Sequence, residues 1–287
     1  MAGCSMAKKR LSSAEVREFL DSLKLPEESS GPTEVKLTGA AVRFVHEDRN
    51  LMHFLTFMLR LVKTPYSAEE VSAVYERLKA GDFDVEKITN IVNSFGEHTT
   101  MLRYGGLVAQ MQHTRMVDNF LCYISELLAL IFRARPETMR SDETTIQLSQ
   151  VLQYKTMDEL VSALADKRVT DLAYLGLHDL AKFLSKRIGL DLFPTPTTMK
   201  IAVELIEERN LIVHNRGIVN QIFVSRLPEY ADELGKPLEL SVTDNSVSSM
   251  FLNISALDID ARARKKFDLP TTTVSLKDRP KDIPGEW

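Results

Sequence analysis

Between His98 and Glu137 runs HTTMLRYGGLVAQMQHTRMVDNFLCYISELLALIFRARPE, forty residues whose only proline is the penultimate one. A stretch this long, free of proline until its end and carrying apolar residues at three- and four-residue intervals, is read as one long helix. Gly105-Gly106 is the one place where it could break, and Pro136 marks its end. Its apolar run, FLCYISELLALIF, is too short to span a bilayer and contains Glu126.

The remaining chain repeats the helical theme. Phe44, Leu51, Phe54, Leu55, Met58 and Leu59 give helical spacing from Val42 to Arg60. Ser12-Ser13-Ala14-Glu15 has the form of a capping box before VREFLDSLKL, with PEESSGPTE as a linker. Further helices are expected from Ser67 to Lys79, over VEKITNIVNSF, and twice between Met157 and Gly189. Thr195 is a good N-cap with Pro196 at the first helical position, opening TTMKIAVELIEERNLIVH. Gly217 should break that helix, and IVNQIFV resumes it. KPLELSVT alternates like a short strand, and SSMFLNISALDIDARARKKF reads as the last helix. The expected organisation is all-α in the main. It comprises an arm over 1–35, a helical region over 36–97, a helical bundle over 98–235, a strand and helix over 236–270, and an extended tail over 271–287.

Composition narrows the class. The chain is 44% hydrophobic and 26% charged, as in soluble globular proteins, and its net charge of −4 advertises no general affinity for nucleic acid. Two cysteines, Cys4 and Cys122, exclude a disulfide framework and a thiolate zinc site, and Cys122 is expected to be a buried small hydrophobe. With no secretory h-region in MAGCSMAKKRLSS, a soluble cytoplasmic location without membrane association is expected. There is no phosphate-cradling Gly-rich loop, no paired-His metal helix and no nucleophile elbow. No cofactor or metal is therefore expected. The six histidines are scattered, and each alone reads as a surface or satisfied side chain.

One stretch carries more chemistry than its surroundings: RNLIVHNRG, Arg209 to Gly217. On a helix Asn210 and His214 share a face, while Arg209 and His214 lie about 140° apart, within reach of the long arginine stem. Leu211, Ile212 and Val213 are expected to anchor the opposite side. Metal-free RNA cleavage needs a base for the 2′-hydroxyl, positive charge at the phosphorane and an acid for the departing 5′-oxygen. Histidine titrates near neutrality and serves as base or acid. Arginine offers a fork matched to phosphate oxygens, and an amide can orient the group being cut. One copy of the trio is thin for a full cycle, and two copies across a symmetric dimer supply base and acid together.

RNLIVH resembles the Arg, polar residue, spacer, His pattern of the HEPN superfamily of all-helical ribonuclease domains, with four residues between Arg209 and His214 and Asn210 at the polar position. VDNFLCYISELLALIF resembles the long earlier helix against which that motif packs. The likeness covers roughly residues 98–230. RNLMH, Arg49 to His53, has one spacer residue fewer and is read as surface of an N-terminal helix. The resemblance implies Arg209, Asn210 and His214 as catalytic residues of a homodimeric, metal-independent endoribonuclease acting on RNA. Its products would end in a 2′,3′-cyclic phosphate and a 5′-hydroxyl. It also implies a bacterial toxin–antitoxin or antiviral role, with an antitoxin or defence-system protein as partner. Asn215 and Arg216 are auxiliary candidates for phosphate contact. Glu207, seven before His214, could orient the imidazole or repel the phosphate backbone. Two other readings stand beside this one: a catalytically silent helical scaffold that dimerises through the same helices, and a regulator in which Arg209 holds the phosphate of a nucleotide.

Overall fold

A computed structural model of the chain describes residues 34–63, 98–140, 145–173 and 175–275. In chain order its elements are β1 (Glu34–Leu37), α1 (Gly39–Lys63), α2 (His98–Ala134), a 3-10 turn (Pro136–Met139) and α3 (Leu148–Val151). Then follow α4 (Met157–Ala173), α5 (Leu177–Phe183) running into a π turn (Leu184–Ile188), and α6 (Pro196–Asn215). Last come α7 (Gln221–Arg226), a 3-10 helix (Pro228–Glu233), α8 (Val242–Phe267) and β2 (Thr272–Ser275). The described residues are thus mainly α-helical, with one small antiparallel sheet. The helices expected before Val35 and between Ser67 and Phe95, and Cys4, lie outside the described residues.

Helix α2 is the axis of the fold, with α1, α4, α6 and α8 packed around it. Its 37 residues make a rod of about 55 Å. Met116, Val117, Phe120, Tyr123, Ile124, Leu127, Leu128 and Ile131 recur at the helical period and are all buried. They meet Ala40, Ala41 and Phe44 of α1, Ile201, Ala202 and Leu205 of α6, and Phe251, Leu252, Ala256 and Ile259 of α8. Phe44 stands edge-on to Phe120 with ring centroids 6.2 Å apart and Phe193 stacks on Phe251, the offset and edge geometries that aromatic quadrupoles favour. The core draws on residues from Leu37 to Leu269, so the segments separated at 97/98 and 235/236 by sequence share one apolar interior.

Two local expectations change. KPLELSVT is not a strand. Pro237 makes a single bridge with Ile218, Leu238 is buried against Leu211 and Phe223, and Ser241 caps α8 through Asp244 N–H at 3.1 Å. The strand lies instead in the expected tail. Thr272–Ser275 pairs antiparallel with Glu34–Leu37, Val274 opposite Val35. Cys122 is exposed rather than buried, because the core face of α2 takes Phe120, Tyr123 and Ile124 and leaves position 122 outside.

Gly105-Gly106 does not interrupt α2, which runs continuously through both. A Cβ at either position would meet nothing within 4 Å. Alanine at Gly105 or Gly106 is therefore expected to stabilise the protein by about 0.5–1 kcal/mol each, by removing unfolded-chain freedom at helical φ, ψ. A rise in the urea midpoint at unchanged slope would show it, and a fall would mean that the apparent open space is filled.

Candidate functional site

Helix α6 starts and stops as its sequence dictates. The Thr195 hydroxyl accepts from Thr198 N–H at 3.1 Å, the Thr198 hydroxyl reciprocates with Thr195 N–H at 3.2 Å, and Pro196 follows the cap. Ile201, Ala202, Leu205 and Ile206 bury its inner face. At the other end Arg216 and Gly217 both adopt left-handed backbone, φ 54° and 72°; Arg216 N–H returns to Leu211 O, a six-to-one closure, and Gly217 N–H lies 3.1 Å from the same carbonyl. The chain then doubles back. Val219 N–H bonds Lys236 O at 2.9 Å and Leu238 N–H bonds Gly217 O at 2.7 Å. A small second core of Leu211, Val219, Phe223, Leu227 and Leu238 fixes this corner.

RNLIVHNRG therefore occupies the last turns and cap of α6. Arg209 Nε donates to Asp118 Oδ1 of α2 at 2.7 Å, and its Nη1 donates to Asn210 Oδ1 at 3.2 Å. The guanidinium is part-buried and aimed by both partners, and its Nη2 makes no hydrogen bond to a described residue. His214 is exposed in the final turn, where the helix dipole favours a cation. Leu211 is buried and Ile212 half-buried as anchors, but Val213 is 46% exposed and does not share that role. The decoy histidine, His53, is exposed on α1.

The auxiliary residues divide. Asn215 spends its amide inside the turn, Nδ2 donating to Ile218 O, so it shapes the cap. Arg216 is exposed at the left-handed cap. Both oxygens of Glu207 accept from Arg226 Nη1 of α7 at 2.7 Å, so its carboxylate is committed to α7 and not to the imidazole. Among the described residues no group of three His, Cys, Asp or Glu side chains is placed to hold a metal ion, and no helix is long and apolar enough to cross a membrane.

Sequence reasoning missed the residues that hold the motif from below. Asp118 is the main partner of Arg209. Glu208 is 2% exposed, 3.5 Å from Nε2 of the equally buried His113. Tyr230 Oη lies 2.5 Å from Glu204 and 3.4 Å from Glu208. The signal was present: Glu208 continues the Ile201–Leu205 core phase, and His113 lies in the phase of Ala109, Met116 and Phe120.

Gly217 ties the motif's end to α2. A Cβ there would stand 3.0 Å from Gln110 Nε2, at a φ that side chains rarely adopt. Gly217→Ala is expected to cost about 1–2 kcal/mol, mainly from the left-handed backbone. Chemical denaturation measures it, and an unchanged midpoint would contradict the left-handed cap.

Comparison of the chain with protein-family models, curated proteins and solved structures returns no match.

Proposed function

We propose that this chain is a metal-independent endoribonuclease of HEPN type that works as a homodimer. The observation that carries the reading is the pre-aimed Arg209, gripped by Asp118 and Asn210 with Nη2 uncommitted, on the same helix end as the exposed His214. A guanidinium whose orientation is fixed before substrate arrives loses little freedom on binding phosphate. His214 takes the proton of the 2′-hydroxyl. The 2′-oxygen bonds to phosphorus, and the P–O5′ bond breaks. The second copy's His214 protonates the leaving 5′-oxygen. Arg209 Nη2 faces the charge that develops on the phosphorane, and Asn210 holds Arg209 in place.

The face around the motif supports a second copy as the occupant. Tyr104, Leu107 and Met111 line one exposed side of α2, with Met111 64% exposed, and Ile218 and Ile222 (65%) are exposed beyond the end of α6. Gln110 lies against Gly217, which puts the N-terminal half of α2 beside the motif. A single chain offers one imidazole in this motif, and a two-fold axis on this face supplies the other. A role in toxin–antitoxin or antiviral conflict belongs to the same reading and rests on the motif resemblance alone.

One observation favours a silent scaffold instead. Asp118 already neutralises Arg209 through its Nε at 2.7 Å. The test is incubation of a broad RNA pool with wild-type protein in EDTA, with product ends mapped and the mass of the particle measured by light scattering. Cyclic-phosphate and 5′-hydroxyl ends from a dimer are expected. A dimer that leaves every RNA intact would transfer the assignment to the scaffold.

A further inference from the structure

Where α2, α6 and α8 meet, the interior turns polar. Gln112, His113, Glu208 and Asn245 are all buried, and no apolar packing argument calls for them. The hydrogen bonds of Asn245 and His113 constrain the protonation of the imidazole. Asn245 Nδ2 donates to the Ala109 carbonyl at 2.7 Å and to Gln112 Oε1 at 3.1 Å. A carboxamide turned the other way would set its oxygen against the Ala109 carbonyl, so Oδ1 must be the atom facing His113 Nδ1 at 3.2 Å. On the far side of the ring, His113 Nε2 faces the Leu205 carbonyl at 3.0 Å and Glu208 Oε2 at 3.5 Å. Both ring nitrogens therefore face acceptors, and only an imidazolium satisfies both. Glu208 is the anion that balances it. Tyr230, from the 3-10 helix, lies against Glu208 and Glu204.

A second ion pair joins the same two helices with the charges reversed. At the buried level α2 supplies the cation, His113, and α6 the anion, Glu208. At the edge α2 supplies the anion, Asp118, and α6 the cation, Arg209. Residues 208 and 209 point about 100° apart, so turning α6 by one residue would bring Arg209 toward His113, cation against cation. Sliding it by one turn would strand a buried charge. We infer that the His113–Glu208 and Asp118–Arg209 pairs form a crossed charge clamp that sets the register of α6 on α2, with His113 held as an imidazolium and with His113 and Glu208 as positioning residues for Arg209. The positioning role in cleavage rests on the proposed function, whereas the charge state and the clamp do not.

The test reads the two separately, on the full chain. Nitrogen-15 spectra of the histidine rings, with His113→Gln for assignment, should show both His113 nitrogens protonated and unchanged from about pH 6 to about pH 8. A His113 ring with one bare nitrogen at neutral pH would overturn the clamp. Solvent exchange of the Arg209 Nε–H should be slow in wild type and at least about tenfold faster in Glu208→Gln, whereas Ile259→Val, a core change on α8, should leave it slow. If Glu208→Gln does not fold, His113→Gln with Glu208→Gln removes both charges together and should show the same faster exchange in a folded protein. Unaltered Arg209 exchange in a folded variant would refute the clamp even if the protein cuts RNA. With cleavage established, Glu208→Gln should lower kcat by on the order of 10- to 100-fold with KM little changed. Intact RNA in every sample, with the spectra as expected, would sink the nuclease assignment and leave the clamp standing.

Discussion

Replacing His214 by alanine is expected to lower the rate of RNA cleavage by about 10²- to 10⁴-fold, with folding unaffected. The imidazole is exposed and makes no hydrogen bond to a described residue, so its removal leaves no buried partner unsatisfied and no cavity. The whole loss should fall on chemistry, corresponding to roughly 3–5 kcal/mol of transition-state stabilisation. In the proposed dimer each half-site would borrow the other's histidine, so mixing wild-type and His214→Ala chains should lower activity more than in proportion to the mutant fraction. Single-turnover cleavage in EDTA checks both statements, with circular dichroism to confirm the fold. Full activity in His214→Ala would remove the nuclease assignment.

Asp260→Ala should be the most damaging change to stability, at about 3–5 kcal/mol. This carboxylate of α8 is fully buried and serves three donors. Thr38 N–H lies 3.3 Å from Oδ2, the Thr38 hydroxyl 2.5 Å from Oδ1, and Arg264 Nε 2.9 Å from Oδ2. Thr38 in turn caps α1, its hydroxyl accepting from Ala41 N–H at 3.2 Å. Alanine would strand the two buried Thr38 donors, take the ion-pair partner from Arg264 and loosen the first turn of α1. Asparagine keeps one acceptor and should recover part of the loss. Equilibrium denaturation measures both variants, and a cost under about 1 kcal/mol for alanine would mean that water replaces the carboxylate easily.

What could be read from sequence divides along a physical line. Helices α2 and α6 were legible because a 3.6-residue period repeats over many turns, and the Thr195-Pro196 start announces itself locally. The sheet was not, because β1 and β2 come from opposite ends of the described chain and neither contains a signal for the other. The alternation in KPLELSVT reports burial of Leu238, which an extended return provides as well as a strand does. The outward-facing part of the site, Arg209, Asn210 and His214, was visible as residue types in a pattern. Its support was not. Glu208 and His113 look like surface residues by type and core residues by phase. Asp118 and Arg226 had no sequence signal, since their roles depend on which helices become neighbours.

The bond between Thr38 and Asp260 closes a separation of 222 residues, and Asn245 of α8 completes the ring around His113. During synthesis at about 5–20 residues per second, α1 would wait roughly 10–45 s for the helix whose Asp260 holds its Thr38 cap. The motif helix leaves the ribosome before α8 and lacks Asn245 until α8 follows. The buried end of the His113–Glu208 pair is therefore completed last, and a chain stalled before α8 would carry RNLIVHNRG with Asp118 on Arg209 but without Asn245 on His113.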